Sequence, residues 1–266
     1  MSNLLIHADC LTGIDTLENA SIDLVFTSPP YAEQRKGLYD SINEKEYPEW
    51  TVKWFEKCKR VLKPEGSIAF VIRPHLKDGV ISDYVLKTRL LLREKGWKEC
   101  EEFIWIKPNS PPVGSNLRPR RAWESVHWFS LTNKPYIDPK ANGTFSKRLG
   151  FEGKKGKGKY INGLTLSEDW QDRCGVARCK DYVEVGTAES DYSDENKHPA
   201  QFPERLALWF VTMLCPEGGT VLDPFVGSGT TPVACVKTGR NYVGFDTDEG
   251  FLNYAKKRVW NSLVKI

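Results

Sequence analysis

The chain has 266 residues and a mass of 30.3 kDa, with 40% hydrophobic and 27% charged residues and a mean hydropathy of -0.47. That is enough apolar material for one large core or a core with a sizeable insertion, and it excludes a disordered chain, a collagen-like repeat and a disulfide scaffold. No apolar run approaches the roughly 20 residues of a membrane span, and the amino end MSNLLIHADC has neither a basic lead nor a long hydrophobic stretch, so a cytoplasmic protein is expected. The net charge of +3 says little about partners by itself. Cysteines at 10, 58, 100, 174, 179, 215 and 235 are odd in number, form no CxxC pair and have no histidines at zinc-ligand spacing. They read as reduced, mostly buried thiols, with no metal site.

Taken in chain order, the pattern alternates short apolar strands with amphipathic helices, the mark of an α/β sheet with helices on its faces. Strands are predicted at Leu4–His7 and Ile22–Thr27, a helix at Glu46–Val61, a strand at Ser67–Ile72 and a helix at Ser82–Glu94. Strands at Glu102–Ile106 and Ser125–Leu131 follow. After a long gap come a helix at Phe202–Leu214, a strand at Thr220–Leu222, a helix at Thr230–Thr238, a strand at Asn241–Phe245 and a helix at Gly250–Val264. Lys63-Pro64-Glu65-Gly66 and Pro216-Glu217-Gly218-Gly219 are legible helix stops.

The gap is distinctive in charge. Lys134 to Lys180 holds 11 Lys and Arg against 5 Asp and Glu, and Asp181 to Glu195 then carries 6 acids and no base. Its lysine- and glycine-rich stretch, FSKRLGFEGKKGKGKYING, has neither helical nor strand periodicity and reads as an exposed insertion. On charge alone it is either a solvated loop or a positive lip that meets phosphates.

Two segments carry chemistry. Thr220 to Thr231 reads as a strand ending in Asp223, a turn through Pro224, Phe225, Gly227, Ser228 and Gly229, and a helix starting near Thr230. Glycines there permit positive φ and close ligand approach, and the free N–H groups of a helix start favour negative charge. No lysine follows the second glycine, so a phosphate loop for ATP is disfavoured. Asp246 ends a second strand 23 residues after Asp223, the spacing at which dinucleotide folds place a ribose-binding acid. A helix-capping turn with an exposed Asp is the alternative. Upstream, Ile22 to Tyr31 is a buried strand running into Ser28-Pro29-Pro30-Tyr31. Two prolines remove two backbone donors, so Ser28 and the Pro29 carbonyl can turn acceptors toward a ligand, with Tyr31 as an aromatic face for a flat base. Alone, the tetrapeptide could equally be a strand-ending turn.

Together, Ser28-Pro29-Pro30-Tyr31 and Asp223-Pro224-Phe225-Val226-Gly227-Ser228-Gly229-Thr230-Thr231 resemble the S-adenosylmethionine-dependent amino-group DNA methyltransferases. Catalytic motif before cofactor motif, with a basic segment between, is the order of their β group. The resemblance covers almost the whole chain. It implies a Rossmann-like, circularly permuted, seven-stranded, mostly parallel sheet with one antiparallel strand, and a catalytic half at 1–134, a target-recognition insertion at 135–196 and a cofactor half at 197–266. It further implies that His198, Gln201, Phe202 and Pro203 line the methionine end of the cofactor, that Asp9, with Cys10, lies near its adenine, and that Phe245 and Asp246 belong to the same site. The segment 102–131 is similar to the hairpin that backs the target base, with Trp105, Lys107 and Glu124 as candidates there and plain packing as their alternative.

The implied substrate is duplex DNA, with the target base flipped out of the stack. Serine at position 28 is similar to the cytosine-N4 subset, whereas aspartate there is commoner among adenine-N6 enzymes, and serine-type motifs occur in both. A restriction-modification role, with a cognate endonuclease on the same site, follows from many relatives. A monomer and a homodimer are equally open. Rival readings are a DNA-binding relative that has lost catalysis and an enzyme acting on RNA or a small amine. Within the family reading, Lys154, Lys155, Lys157 and Lys159 become phosphate contacts, and Arg118, Arg120 and Arg121 contacts to phosphates or base edges. Replacing the four lysines by alanine is expected to weaken DNA binding across all sequences and to flatten its salt dependence, by about 0.9 in log–log slope for each phosphate no longer neutralised, without changing the preferred site. A salt titration of binding checks this, and an unchanged slope counts against it.

Overall fold

The centre of the sheet explains the rest. Strand β2 (Ile22–Thr27) is buried at all of its positions, which requires cover on both faces. Val25 packs into one hydrophobic cluster while Leu24 and Phe26 pack into the other. The next strand, β3 (Leu62–Ile72), alternates in the same way, with Ile68, Phe70 and Ile72 on one side and Ala69 and Val71 on the other.

The computed structural model describes residues 3–33, 42–110, 117–144, 176–187 and 201–264. Besides β2 and β3 these form β1 (Leu4–His7), the hairpin β4 (Leu76–Lys77) and β5 (Val80–Ile81), β6 (Lys98–Ile106), β7 (Trp123–Ser130), β8 (Tyr182–Glu184), β9 (Thr220–Asp223) and β10 (Asn241–Asp246). The helices are α1 (Cys10–Asp15), α2 (Tyr47–Val61), α3 (Tyr84–Glu94), α4 (Glu204–Leu214), α5 (Thr230–Lys237) and α6 (Glu249–Val264). No helix of the described residues is long and apolar enough to cross a membrane.

One sheet of eight strands runs in the order β1-β10-β9-β2-β3-β7-β6-β8. Strand β7 alone is antiparallel to its neighbours, pairing with both β3 and β6. This is the expected doubly wound sheet with one strand more: β8, three residues long, adds to the edge beside β6. It comes from within 135–196, where composition predicted only an insertion. The amino-terminal end of that segment is bonded to the core, Tyr136 N–H to the Glu65 carbonyl at 2.9 Å and Asp138 N–H to the Met213 carbonyl at 2.8 Å. Helices α1 and α2, with part of α3, cover one face, through Ile14, Tyr47, Trp54, Phe55, Cys58 and Leu92. Helices α4 and α5, joined by Val259 of α6, cover the other, through Leu206, Phe210, Val211, Leu214 and Val233.

Element boundaries differ from expectation by a few residues, with three exceptions. Helix α2 ends where expected, but Lys63-Pro64-Glu65-Gly66 is part of β3 and not a turn before it, because Leu62 already pairs with Ile22 ahead of a register shift in β2. Helix α1 was not predicted, although Asp9 Oδ1 accepts from Leu11 N–H at 2.9 Å as an N-cap should. Six residues are too few to show helical periodicity, so the capping acid was its only signal. The β4–β5 hairpin is two residues a side, below the length at which strand alternation can be read.

Gly229 caps α5 with φ of 83°, and a Cβ built there would stand 2.7 Å from the Ala255 Cβ of α6. The residue therefore serves the turn, with the positive φ expected from sequence, and the close approach of two helices. Gly229→Ala combines left-handed strain with overpacking and should destabilise the fold by roughly 2 kcal/mol or more, read by denaturant unfolding.

Candidate functional site

Because β1, β10, β9, β2 and β3 are parallel, their carboxyl ends lie on one edge, and the segments that follow them stand side by side. Read along the sheet, that edge presents Asp9, Asp246, the turn from Pro224 to Gly229, Ser28 to Tyr31, and Arg73. Antiparallel β7 begins there, with Glu124 opposite Trp105 near the end of β6. Residues 200 apart in sequence are thus neighbours. The order of connection along the sheet reverses between the parallel β9 and β2, since β9 leads to β10 on one side and β2 to β3 on the other, and crevices of α/β sheets form at such switch points.

Asp223 sits at the switch point and is 2% exposed. Its Oδ1 accepts from Thr27 Oγ1 at 2.5 Å and from Phe225 N–H at 3.1 Å, and its Oδ2 accepts from Thr231 Oγ1 at 2.6 Å. Burial outweighs these bonds and pushes its carboxyl up to about 6. The sequence places Asp223 among ligand-binding acids; the structure corrects this, because its carboxyl is buried and turned to three donors inside the protein. Thr27, which sequence reading passed over, is its partner across the strands.

Asp246 differs. It is half-buried, and its Oδ2 accepts from Gly227 N–H at 2.8 Å while Oδ1 accepts from Asp248 N–H at 2.9 Å. Burial raises its carboxyl above the ordinary range, and these backbone donors oppose the rise. A carboxylate offers about four acceptor sites, so further hydroxyl donors can be taken at the exposed side. Such an acceptor fits the hydroxyls of a ribose-bearing cofactor. Ser228 Oγ donates to Gln201 Oε1 at 2.9 Å, tying the segment before α4 to the glycine turn, and Arg258 donates to the Ser228 carbonyl at 2.9 Å.

Apolar candidates divide into two sets. Cys10 and Phe245 turn into the core, a correction to their expected place beside a ligand: burial pushes the Cys10 thiol up to about 12, and the Phe245 ring lies against Gly13 of α1. Phe225 is half-buried at the edge and packs on Trp50 and Trp54 with ring centroids 5.4 and 5.7 Å away. Trp50, also half-buried, was missed because α2 reads as an ordinary core helix. Phe202 packs edge-on to Phe26 at 5.6 Å, Pro203 caps α4, and Pro224 and Thr230 are buried in the turn region.

Ser28 is half-buried, Pro29 buried and Pro30 half-buried. Tyr31 Oη donates to Glu124 Oε2 at 2.6 Å, Lys107 pairs with Glu124, and the Lys107 ammonium lies 4.1 Å from the Trp105 ring centroid. Trp105, Lys107 and Glu124 therefore form one cluster beside Tyr31. Arg118 donates to the Gly79 carbonyl and remains exposed, and Arg120 is exposed near the Ser110 carbonyl at 3.4 Å. Arg121 is turned inward, donating to the Pro74 carbonyl at 2.5 Å and accepting from Arg73 through its own carbonyl at 3.1 Å. His198, Lys154, Lys155, Lys157 and Lys159 lie outside the described residues. Glu33, Glu44 and His75 converge at the edge, but Lys77 donates to both carboxylates there.

Comparison with known proteins agrees with this layout. The family model described as DNA methylase, of the N6/N4 methyltransferase kind, matches residues 22–257. The chain belongs to this DNA methylase family. It is thus a DNA methyltransferase, of a family that uses S-adenosylmethionine. It is similar to the type II methyltransferase M.PvuII of Proteus hauseri, 28% identical over 90% of this chain and 78% of that protein. The solved PvuII DNA methyltransferase, described as cytosine-N4-specific, superposes with a TM-score of 0.75 over 97% of this chain and 86% of that one at 24% identity. The M1.HpyAVI–SAM complex gives a TM-score of 0.61 over 96% and 98% at 20% identity. At such identities the two structures speak to the fold.

The Asp223 carboxyl gives a pH test with a worked sign. Its folded value, about 6, lies above the ordinary 3.8, so the native state holds a proton that the unfolded state releases, and the contribution to stability is largest below pH 4 and lost as pH rises through 6. Relative to Asp223→Asn, the wild type should lose on the order of 3 kcal/mol between pH 4 and 7. Denaturant unfolding of both proteins across that range checks it, and parallel curves would refute it.

Proposed function

We propose that this DNA methyltransferase transfers a methyl group from S-adenosylmethionine to the exocyclic N4 amine of cytosine in duplex DNA. The observation that carries the reading is the adjacency, at the switch point, of Ser28-Pro29 at the end of β2 and the glycine turn at the end of β9, locked by Thr27 and Asp223. When bound, the cofactor supplies an electrophilic methyl group on a sulfonium. Asp246 would take its ribose hydroxyls and Asp9 would serve its adenine, while Gly227, Ser228, Gln201, Phe202 and Phe225 would enclose it and Pro203, Pro224, Gly229, Thr230 and Thr231 would support them; His198 is assigned to the same site from the motif alone.

An aromatic amine is a poor nucleophile because its lone pair is delocalised into the ring. Ser28 Oγ and the Pro29 carbonyl each take one amine hydrogen, which localises the pair on nitrogen and stabilises the positive charge that develops there. Positioning supplies the rest. Ser28 has no histidine partner in its motif and does not act as a general base. Pro30 stiffens the turn, and Tyr31 walls the base pocket. Because the amine is inaccessible in a stacked duplex, the base is flipped out.

Cytosine is preferred on two grounds: serine occupies position 28, and the PvuII enzyme is described as cytosine-N4-specific. Residues 135–196 serve target recognition, and the exposed Arg118 and Arg120 contact DNA together with Lys154, Lys155, Lys157 and Lys159. A restriction-modification role with a cognate endonuclease, acting as a monomer or homodimer, completes the reading.

The test is to express the chain in a host lacking DNA methylation, digest its DNA to nucleosides and identify the product by mass spectrometry. N4-methylcytosine is expected, falling about a hundredfold with Ser28→Ala. N6-methyladenine would keep the mechanism and change the base, and unmethylated DNA would count against the reading.

A further inference from the structure

Strand β3 runs out at the crevice edge, and the chain then folds into the β4–β5 hairpin before entering α3. The turn is Asp78-Gly79, both residues at positive φ (50° and 78°), with Leu76 opposite Ile81 and Lys77 opposite Val80. A hairpin of this size does not hold itself in water, and this one is braced. Lys77 donates at 3.0 Å to Glu33, two residues beyond Tyr31, and at 3.0 Å to Glu44, which also accepts from Ser82 Oγ at 2.8 Å. Arg121 and Arg118 donate to the Pro74 and Gly79 carbonyls. What the braces hold out to solvent is apolar: Val80 is 68% exposed, Ile81 61% and Leu76 37%.

The surroundings identify what meets them. The hairpin is tied through Glu33 to the segment that carries Tyr31, so it stands at the edge to which DNA must come. Arg118, which holds its tip, and Arg120 are exposed cations suited to phosphates. A two-stranded ribbon fits the major groove. The acid at the tip, Asp78, is repelled by a phosphate backbone but can accept from cytosine amines on a groove floor, which favours a tip that enters a groove. Flipping a base leaves a gap in the stack, and apolar side chains wedged between bases cover the surfaces so exposed. We infer that the β4–β5 hairpin enters the duplex beside the target base, where Val80 and Ile81 fill the gap left by the flipped base. The inference rests on the methyl-transfer reading above, which requires flipping.

The experiment takes the recognition sequence mapped in the methylated host DNA and builds two duplexes, one fully paired and one with the target base mispaired, so that flipping is cheap. Methyl transfer to both is measured for the wild type, Val80→Ala and the Val80→Ser/Ile81→Ser double variant, together with S-adenosylmethionine affinity and the mass of each free protein in solution. Both side chains are exposed, so the variants should fold and bind the cofactor as the wild type does. Val80→Ala, the milder change, carries the test if the double variant does not fold. On the paired duplex the double variant should lower kcat/KM about tenfold or more, and on the mispaired one by less than about threefold, with Val80→Ala showing the same bias at smaller size. Equal losses on the two duplexes mark an ordinary contact and overturn the inference. So does an unchanged kcat/KM on the paired duplex, or a change of oligomeric mass in place of that loss, and in each case the functional reading stands. A wild type that transfers no methyl group overturns both.

Discussion

Asp223 holds this protein's two motifs in register. The seam between β2 and β9 is a short ladder, Leu24 opposite Val221 and Val25 opposite Leu222. Acids close it at both ends. At one, Asp23 Oδ2 accepts from Thr220 N–H at 2.8 Å and pairs with Lys63 at 2.7 Å. At the other, Asp223 binds Thr27 on the facing strand and Thr231 on the helix beyond its own turn. A buried carboxylate with every partner in place is specific because a missing one leaves a desolvated charge. A shift of either strand would lose the Thr27 bond, and with it the placement of Ser28 beside the glycine turn.

From that lock the division of labour follows. Asp223 is spent on structure, leaving Asp246, one strand further out and less enclosed, as the acid with acceptor capacity at the surface. Both end apolar strands and both precede turns, and only the surroundings separate them. The outer half of the edge is organised similarly around Glu124, which gathers Lys107 and Tyr31 from two other segments. Each half of the crevice thus has a carboxylate behind it.

Much of the fold was legible. Strands β2 and β10 and helices α2, α4 and α6 showed their periods because they are long or wholly buried, and their expected and observed bounds nearly coincide, whereas β3 starts five residues before its expected bound. The position of the single antiparallel strand came from family resemblance, since a strand's direction leaves no mark on its own composition. Ser28, Gly227, Gln201 and Asp246 were named from motifs and meet at one edge. Thr27 and Trp50 were not named: a threonine ending a strand and a tryptophan on a helix have no signature that separates them from packing. Cys10 and Phe245 were placed at the ligand by their proximity in sequence to motif acids, and their side chains point the other way.

By itself, then, the sequence determined most element types, the class of the sheet and the motifs on which the proposed amine chemistry rests, because hydrophobic period and motif spacing are local properties of the chain. Tertiary structure decided which acid is buried and which remains open, which glycine serves helix packing, and that Glu124 reaches Tyr31 from 93 residues away. Those depend on burial and on distances between segments that no local pattern encodes.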